Sequence, residues 1–226
     1  MAAVELPELE PSRASQLFYE SIRRAAMGIF RRGFDLEVSG LGHVPAEGGF
    51  VLAPGGHRSI IDTPVVAAAS PRMLRYMGAE NYFAKPGLGW FLRSVGGFPV
   101  ERATTDRAAM RIAQALLEAG EPLVVFPEST RFSGPTVQPL KEGAAFLAAR
   151  ARVPIVPVGI GGAEAAWPKG QRLPRRAPMA LVIGEPIDPP ERADGERVKR
   201  SVIRSLTADL QDRLQTLFDE AQSIAS

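Results

Sequence analysis

The alternation of short apolar runs with helical patterns constrains the fold of this chain more than any other feature. The apolar runs are bounded by glycine or proline, as is typical of short strands. They are FDLEVSG, GFVLAP, MLRYMGA, GFPVE, PLVVF, PIVPVGI and MALVIG. Between them, helical patterns cover residues 62–69, 86–95, 104–119 and 141–151. Strands that alternate with helices predict an α/β fold, with one mixed, mainly parallel sheet covered by helices.

Two longer helical patterns lie outside this alternation. Residues 12–33 carry apolar side chains at steps of three and four, with five arginines against one acid, Glu20. This N-terminal basic amphipathic helix can lie in a lipid interface or pack one face on the core. Residues 196–222 carry a stripe of Val and Leu, which favours core packing because it is too short for sustained heptads. We therefore predict a helical segment at 1–33 and a single domain at 34–226.

The composition excludes several kinds of site. The chain has no cysteine, which excludes disulfides, thiolate nucleophiles and cysteine metal ligands. Its two histidines, His43 and His57, show no H-E-x-x-H spacing, so no metal site is predicted. The net charge of +2 does not indicate a nucleic-acid partner. We expect neither a secretory signal peptide nor a membrane-spanning helix, since no uncharged apolar stretch reaches about 18 residues.

The turn after the run GFVLAP is the first candidate site. Pro64 suits the first turn of a helix capped by Asp62 or Thr63, which puts His57 in a strand-to-helix turn. Five residues on a helix rotate by about 500°, so His57 and Asp62 can meet only if the chain folds back. An imidazole held by a carboxylate is a general base. Alternatively, Asp62 only caps the helix, within a Ser59-x-x-Asp62 capping box.

Two further segments place polar groups after apolar strands. Gly96 and Gly97 lead into a strand that ends at Glu101 and Arg102, where the guanidinium can hold a phosphate or form a surface salt bridge. The run LVVF ends in the residues PESTR, which include Arg131. Ligands of open α/β sheets bind at the carboxyl ends of such strands, and a guanidinium suits phosphate oxygens. The alternative for PESTR is a helix cap after the strand.

The run VPIVPV, at residues 153–158, contains two prolines. Proline has no N–H to donate to a neighbouring strand. We therefore expect this strand at an edge of the sheet or along a groove.

In their order and spacing, these four segments resemble the motif blocks of the glycerolipid acyltransferase family over roughly residues 34–190. The H-x-x-x-x-D block runs from His57 to Asp62, and a Gly-to-Arg block ends at Arg102. The F-P-E-G-T-R block appears as FPESTR, and the V-P-I-V-P-V block is intact. One such block is a weak signal, whereas all four in order are specific. The resemblance makes residues 34–226 the acyltransferase domain.

The resemblance implies a reaction and roles for residues. A fatty acyl group moves from acyl-CoA or acyl carrier protein to the hydroxyl of a lysophospholipid, above all 1-acyl-sn-glycerol-3-phosphate, giving phosphatidic acid. His57 is then the catalytic base, and Asp62 orients it. The substrate-binding residues are Arg58, Ser59, Gly97, Arg102, Glu128, Ser129, Thr130 and Arg131, with Glu128 either contacting the acceptor or holding an arginine in place. The expected partners are the lipid acceptor, the thioester donor and a membrane surface; no cofactor, metal or nucleic acid is expected.

Three departures from the family pattern keep alternatives open. Gly56 stands where the family usually has Asn, Ser129 where it has Gly, and Glu80 where glycerophosphate-acylating members often carry Lys. A carboxylate at that position disfavours a phosphate-bearing acceptor and so leaves the identity of the acceptor open. Glycerol-3-phosphate, another lysolipid or a glycolipid stays an alternative substrate. A catalytically inactive, lipid-binding module is another. A serine hydrolase is disfavoured, because no G-x-S-x-G elbow occurs.

A basic segment bears on location. Residues 167–176 carry four positive charges and no acid. Anionic headgroups attract such segments by about 1 kcal/mol per charge, although a solvated loop has the same composition. Together with the helix at 12–33, this segment predicts a peripheral or monotopic protein on the cytoplasmic face of the membrane.

Overall fold

The computed structural model describes residues 13–100, 107–191 and 196–226. Its strands coincide with the seven apolar runs: β1 Glu37–Ser39, β2 Val51–Gly55, β3 Arg75–Ala79, β4 Gly97–Val100, β5 Leu123–Val124, β6 Ile155–Gly161 and β7 Ala180–Ile183. The helices of these ranges are α1 Arg13–Gly33, α2 Asp62–Ala69, α3 Glu80–Phe83, α4 Leu88–Ser94, α5 Arg107–Glu118, α6 Gly143–Ala151, α7 Ala163–Ala166 and α8 Arg200–Ile224. The predicted N-terminal helix is confirmed as α1.

The strands form one sheet in the order β1-β7-β6-β2-β5-β3-β4. The five strands from β6 to β4 run parallel to one another. Strand β7 is antiparallel to β6, and β1 is parallel to β7. The mixed, mainly parallel sheet predicted from the sequence is therefore confirmed. Because parallel strands end at the same edge, the turns after β2, β3 and β5 begin side by side.

The prediction that the proline-containing run lies at a sheet edge is wrong, whereas its alternative, a place along a groove, agrees with a surface cavity of about 300 Å³ that Pro157 helps to line. The run forms β6, which pairs with β2 on one side and β7 on the other and is buried throughout. The carbonyl of Pro157 accepts the N–H of Gly184, the residue directly after β7. The missing N–H of Pro157 thus falls at the end of the β6–β7 ladder, where no partner needs it.

Helices cover both faces of the sheet. On one face, α5, α6 and α8 pack against Val51, Ala53 and Ile155. On the other face, α1, α2 and α7 pack against Leu52, with Phe30 of α1 buried in the same cluster. Strands β2 and β6 are buried on both faces, which explains why their sequences are continuously apolar rather than alternating.

The longest described helix is α8, with 25 residues. Its buried stripe consists of Ile203, Leu206, Leu210, Leu214, Phe218 and Ala221. The core packing predicted for the apolar stripe of this helix is confirmed, since five of these six side chains lie in the cluster that fills one face of the sheet. Within the described ranges, every helix is too short or too polar to cross a membrane. The division of the chain at residue 33 stays a prediction.

Candidate active site

His57 and Asp62 meet in the turn between β2 and α2. Nδ1 of His57 lies 2.8 Å from Oδ2 of Asp62, whose side chain is fully buried. The same oxygen accepts the backbone N–H groups of Arg58 and Ser59, each at 2.8 Å. The chain therefore folds back, as the five-residue spacing requires. Helix α2 begins at Asp62 and has Ile61 as its N-cap, so the prediction of Asp62 or Thr63 as the N-cap is wrong. The bond from the N–H of Ser59 to Asp62 is one half of the predicted capping box, but Asp62 does more than cap the helix, because it also binds His57.

The geometry of the imidazole leaves one nitrogen available. Because a carboxylate oxygen accepts hydrogen bonds, Nδ1 of His57 carries the hydrogen and Nε2 holds the lone pair. Nε2 has no hydrogen-bond partner among the described residues, and 16% of the side chain is exposed. The ring of Phe126 lies against the imidazole, with centroids 4.3 Å apart. His57 is thus a held and oriented base that solvent or a substrate can reach.

A buried ion pair lies behind this turn. Nη1 of Arg58 is 3.1 Å from Oε2 of Glu128, and the two side chains are 1% and 0% exposed. Oε1 of Glu128 accepts the backbone N–H of His57 at 2.8 Å, while Oε2 also accepts the N–H of Gln138 at 2.9 Å. Arg58 donates further hydrogen bonds to the carbonyls of His57, Gly134 and Thr136. The pair therefore ties the His57 turn to the loop of residues 134–140.

The side chain of Ser59 is also turned inward. Its hydroxyl donates to the carbonyl of Trp167 at 2.8 Å, and the residue is fully buried. The polar atoms of Ser59, Arg58 and Glu128 thus face protein groups rather than the opening beside His57. We therefore expect these three residues to position the turn rather than to touch a substrate. For Glu128 this agrees with the second of its two predicted roles, since it holds the guanidinium of Arg58.

The PESTR segment, in contrast, presents exposed side chains beside the histidine. The carbonyl of His57 accepts the N–H of Phe132 at 3.1 Å, which holds the end of this segment against the turn. Ser129 and Thr130 are exposed and Arg131 is partly exposed. Among the described residues, Thr130 and Arg131 have no hydrogen-bond or ion-pair partner. The guanidinium of Arg131 is therefore free to bind an anion.

Backbone conformation bears on two of the positions at which this chain departs from the family pattern, because both residues have a positive φ. Ser129 has φ 59, a left-handed conformation that glycine adopts without strain. Gly56 has φ 76, and a Cβ there would lie 2.2 Å from Cδ2 of Phe218. An asparagine in place of Gly56 would therefore collide with the phenyl ring. No pattern in the sequence indicates this contact, because Phe218 is remote from every motif.

The other predicted positions lie elsewhere. Gly97 begins β4 and pairs with Tyr76, so it stands at the opposite end of its strand from the edge where β2 leads to His57. Arg102 and Glu101 lie outside the described residues. Glu80 is exposed at the first position of α3, directly after β3.

An apolar cavity of about 260 Å³ lies beside the turn, between α1, α2, α4, β3 and β4. Thr63 and Pro64, the residues directly after Asp62, form part of its wall, and so does Gly97. Tyr19 and Tyr76 also line it. Burial raises the pKa of Tyr19 and raises that of Tyr76 well above its ordinary value. No group of three or more metal-ligating side chains occurs in the described part of the chain.

The fold and the turn around His57 agree with the protein family that the sequence matches. The family model described as Acyltransferase matches residues 35–161, more than half of the chain, and the chain belongs to this family. It is therefore an O-acyltransferase. The matched stretch contains the His57 turn, the PESTR segment and β6, and it ends before α8.

Two relatives and one crystal structure indicate which acyltransferases the chain is similar to. The 1-acyl-sn-glycerol-3-phosphate acyltransferase of Bacillus subtilis is 30% identical over 183 residues, which cover 80% of this chain and 87% of that protein. The enzyme of the same name from Streptococcus pneumoniae is 28% identical over 174 residues, and the match spans 61% of its length. The crystal structure of PlsC, the 1-acyl-sn-glycerophosphate acyltransferase of Thermotoga maritima, has the same fold. The two structures superpose with a TM-score of 0.79 at 24% sequence identity, and the match covers 96% of this chain and 85% of that chain.

Proposed function

We propose that this chain transfers a fatty acyl group from an acyl thioester to the free hydroxyl of 1-acyl-sn-glycerol-3-phosphate, which yields phosphatidic acid. The observation that carries this proposal is the His57–Asp62 pair with its unoccupied Nε2, in a chain that belongs to the acyltransferase family. The names of the relatives from Bacillus subtilis and Streptococcus pneumoniae support this acceptor.

His57 acts as the general base. Nε2 takes the proton of the acceptor hydroxyl while its oxygen attacks the thioester carbonyl, and a C–O bond forms. The tetrahedral oxyanion then collapses, the C–S bond breaks, and the imidazolium returns the proton to the leaving thiolate. Asp62 keeps the Nδ1 hydrogen in place and stabilises the imidazolium. A base positioned in this way contributes about 10²–10⁴-fold to a rate.

Arg131 binds the acceptor phosphate. Its guanidinium is unpaired among the described residues, and Arg131 directly precedes Phe132, whose N–H binds the carbonyl of His57. A guanidinium forms strong, charge-assisted hydrogen bonds with phosphate oxygens. Arg102 is proposed for the same role from its motif.

The apolar cavity accommodates part of an acyl chain. Its wall begins with Thr63 and Pro64, next to Asp62, so a chain inside it can extend from a carbonyl held near His57. Binding pockets with apolar walls and a few polar groups at the mouth are typical of such ligands.

The outer faces of α1 and α4 dock on the membrane. Leu17, Phe18, Leu88, Trp90 and Phe91 form an exposed apolar patch, here called the α1–α4 patch. The rings of Phe18 and Trp90 are 5.3 Å apart, and 63% of Trp90 is exposed. Exposed apolar patches of this kind mark interaction sites, and Trp favours the membrane interface.

Exposed cations lie farther along α1, toward its carboxyl end. Arg24, Arg31 and Arg32 are exposed on α1, and the carbonyl of Arg32 accepts a hydrogen bond from Arg176 of the basic segment 167–176. The basic segment therefore adjoins the carboxyl end of α1. An apolar patch together with these cations favours an anionic lipid surface, such as the cytoplasmic face of a membrane.

Glu80 favours a second candidate, in which the acceptor carries no phosphate. Its exposed carboxylate follows β3 at the sheet edge where β2 leads to His57, and it would repel a phosphate held nearby. The donor is acyl-CoA or acyl carrier protein in either case.

Thiol release from palmitoyl-CoA, measured with a panel of acceptors, tests the proposal. The panel contains 1-acyl-sn-glycerol-3-phosphate, glycerol-3-phosphate, a lysophosphatidylcholine and a monoacylglycerol. We expect release with the first and phosphatidic acid as the lipid product. Release with the monoacylglycerol alone would favour the second candidate, and no acceptor-dependent release with either CoA or carrier-protein donors would overturn the assignment.

A further inference from the structure

Helix α8 lies outside residues 35–161, the stretch that the family model matches. It nevertheless contacts the turn between β2 and α2 that carries His57, here called the catalytic turn. It packs across β6 and β2 where these strands carry glycines. A Cβ at Gly159 would lie 2.2 Å from the carbonyl oxygen of Leu217, and one at Gly161 would lie 2.0 Å from that of Ala221. Glycine is thus required for the helix backbone to approach the sheet so closely.

Phe218 projects from α8 into the turn. Its ring fills the space where Gly56 would carry a side chain, at 2.2 Å from the Cβ position. The guanidinium carbon of Arg58 lies 5.1 Å from the centroid of the same ring, within the range of a cation–π contact. The ring therefore touches the residues on both sides of His57.

Glutamines of α8 hold the loop of residues 134–140. Oε1 of Gln215 accepts the N–H of Val137 at 2.8 Å, and Oε1 of Gln211 accepts the N–H of Leu140 at 3.1 Å. The carbonyls of Gly134 and Thr136 in this loop are the ones that Arg58 binds. Helix α8 thus reaches Arg58 by two routes, through Phe218 and through the loop.

We propose that α8 positions the catalytic turn, with Phe218 as the positioning residue that sets the path of the backbone from Gly56 to Arg58 and so the orientation of the His57 ring. This inference rests on the proposed acyl transfer. A purely structural helix would stabilise the fold without affecting the geometry of His57. A positioning helix affects kcat at a fixed degree of folding, because misplacement of a catalytic group by about 1 Å can cost about 100-fold in rate.

Truncation at two places in α8 separates these roles. Phe218→Ala removes the ring at the turn. Leu206→Ala removes a buried side chain of the same core cluster, about 18 Å away along the helix. At equal fractions of folded protein, we expect kcat to fall at least about tenfold in Phe218→Ala, with KM little changed. We expect Leu206→Ala to keep the wild-type kcat, and equal losses in the two variants would overturn the inference.

A rescue experiment uses the departure at Gly56. Asparagine tolerates a left-handed φ, so Gly56→Asn fails through its collision with Phe218 rather than through backbone strain. We expect Gly56→Asn to lose at least about 100-fold in kcat, and the double variant Gly56→Asn/Phe218→Ala to recover at least about tenfold of that loss. A fully active single variant, or a double variant no better than the single, would contradict the proposal.

A structural measurement distinguishes failure of this inference from failure of the proposed function. The chain has two histidines, so selective ¹⁵N labelling gives ring signals of His43 and His57 alone. We expect Phe218→Ala to shift the His57 ring signals and Leu206→Ala to leave them in place. If the wild type proves inactive in acyl transfer, these shifts still decide whether Phe218 positions the turn. Unshifted signals in Phe218→Ala would sink the inference even if the enzyme is active.

Discussion

Oε1 of Glu128 accepts the backbone N–H of His57 at 2.8 Å, so the segment after β5 holds the turn after β2 directly. Two motifs that are far apart in sequence thereby form one rigid unit at the carboxyl edge of the sheet. The imidazole is fixed from both sides, by this bond to its backbone and by Asp62 at Nδ1. Such preorganisation is what a general base requires, since it reduces the reorganisation needed during reaction.

The first prediction concerns the buried ion pair. Glu128→Gln leaves Arg58 charged and unpaired in the interior, so we expect the free energy of unfolding to fall by about 3–5 kcal/mol. Urea unfolding measures this loss. Glu142→Gln is the control, because its exposed pairs with Arg200 and Arg204 are 3.9 and 3.8 Å long and are worth less than about 1 kcal/mol. Similar losses in the two variants would contradict the role of the buried pair.

The second prediction concerns the acceptor phosphate. Arg131→Ala removes charge-assisted hydrogen bonds worth about 1.5–3 kcal/mol, so the KM for 1-acyl-sn-glycerol-3-phosphate should rise about 10–100-fold. The KM for the thioester donor should stay the same. Arg172→Ala, in the exposed basic segment, is the matched control and should leave both constants unchanged in detergent solution. An unchanged acceptor KM in Arg131→Ala would remove this residue from the phosphate site.

The third prediction concerns stability and its dependence on pH. The hydroxyl of Tyr76 is buried without a hydrogen-bond partner, and burial raises the pKa of this phenol well above its usual value. Tyr76→Phe should therefore raise the free energy of unfolding by about 1 kcal/mol at neutral pH.

The advantage of Tyr76→Phe should grow as the pH rises above about 10. The unfolded chain then loses the phenolic proton of Tyr76 while the folded chain keeps it, so wild-type stability falls. Urea unfolding at pH 8 and pH 10.5 checks both parts. The exposed Tyr82→Phe is the control, and a Tyr76→Phe variant less stable than the wild type would refute the prediction.

The fourth prediction concerns the membrane. Trp90→Ala removes the most exposed aromatic side chain of the α1–α4 patch, so binding to anionic vesicles should weaken about tenfold, equivalent to about 1.4 kcal/mol of lost apolar burial. Co-sedimentation with the vesicles measures the change. Leu41→Ala, at an exposed position in the 3₁₀ turn Leu41–His43, should bind like the wild type. Equal binding by all three proteins would place the contact elsewhere.

The sheet and most helices could be predicted from the sequence because their signals are local. Apolar runs bounded by glycine and proline mark the strands, and three- to four-residue periodicity marks the longer helices. Helices α3 and α7, with four residues each, have no periodicity to detect. The two prolines of VPIVPV predict an edge strand wrongly, because Pro154 precedes β6 and Pro157 lies where the neighbouring strand ends.

The pairing of His57 with Asp62 could also be anticipated, since both residues lie in one turn. The inward orientation of Arg58 and Glu128 could not, because it depends on carbonyls of the loop 134–140 and on the ring of Phe218. Contacts between remote segments leave no periodic trace in a sequence. For the same reason, the need for glycine at position 56 follows only from the position of the Phe218 ring in the fold.

The central claim is that His57 is the base of an acyl transfer, and one comparison tests it most directly. Acceptor-dependent thiol release from palmitoyl-CoA is measured for the wild type, His57→Ala and His43→Ala. His43 binds the carbonyl of Ile183 through Nδ1, outside the turn, so its loss should change the rate by less than about twofold at equal folding. His57→Ala should lose at least about 100-fold. Release that persists in His57→Ala would contradict the account.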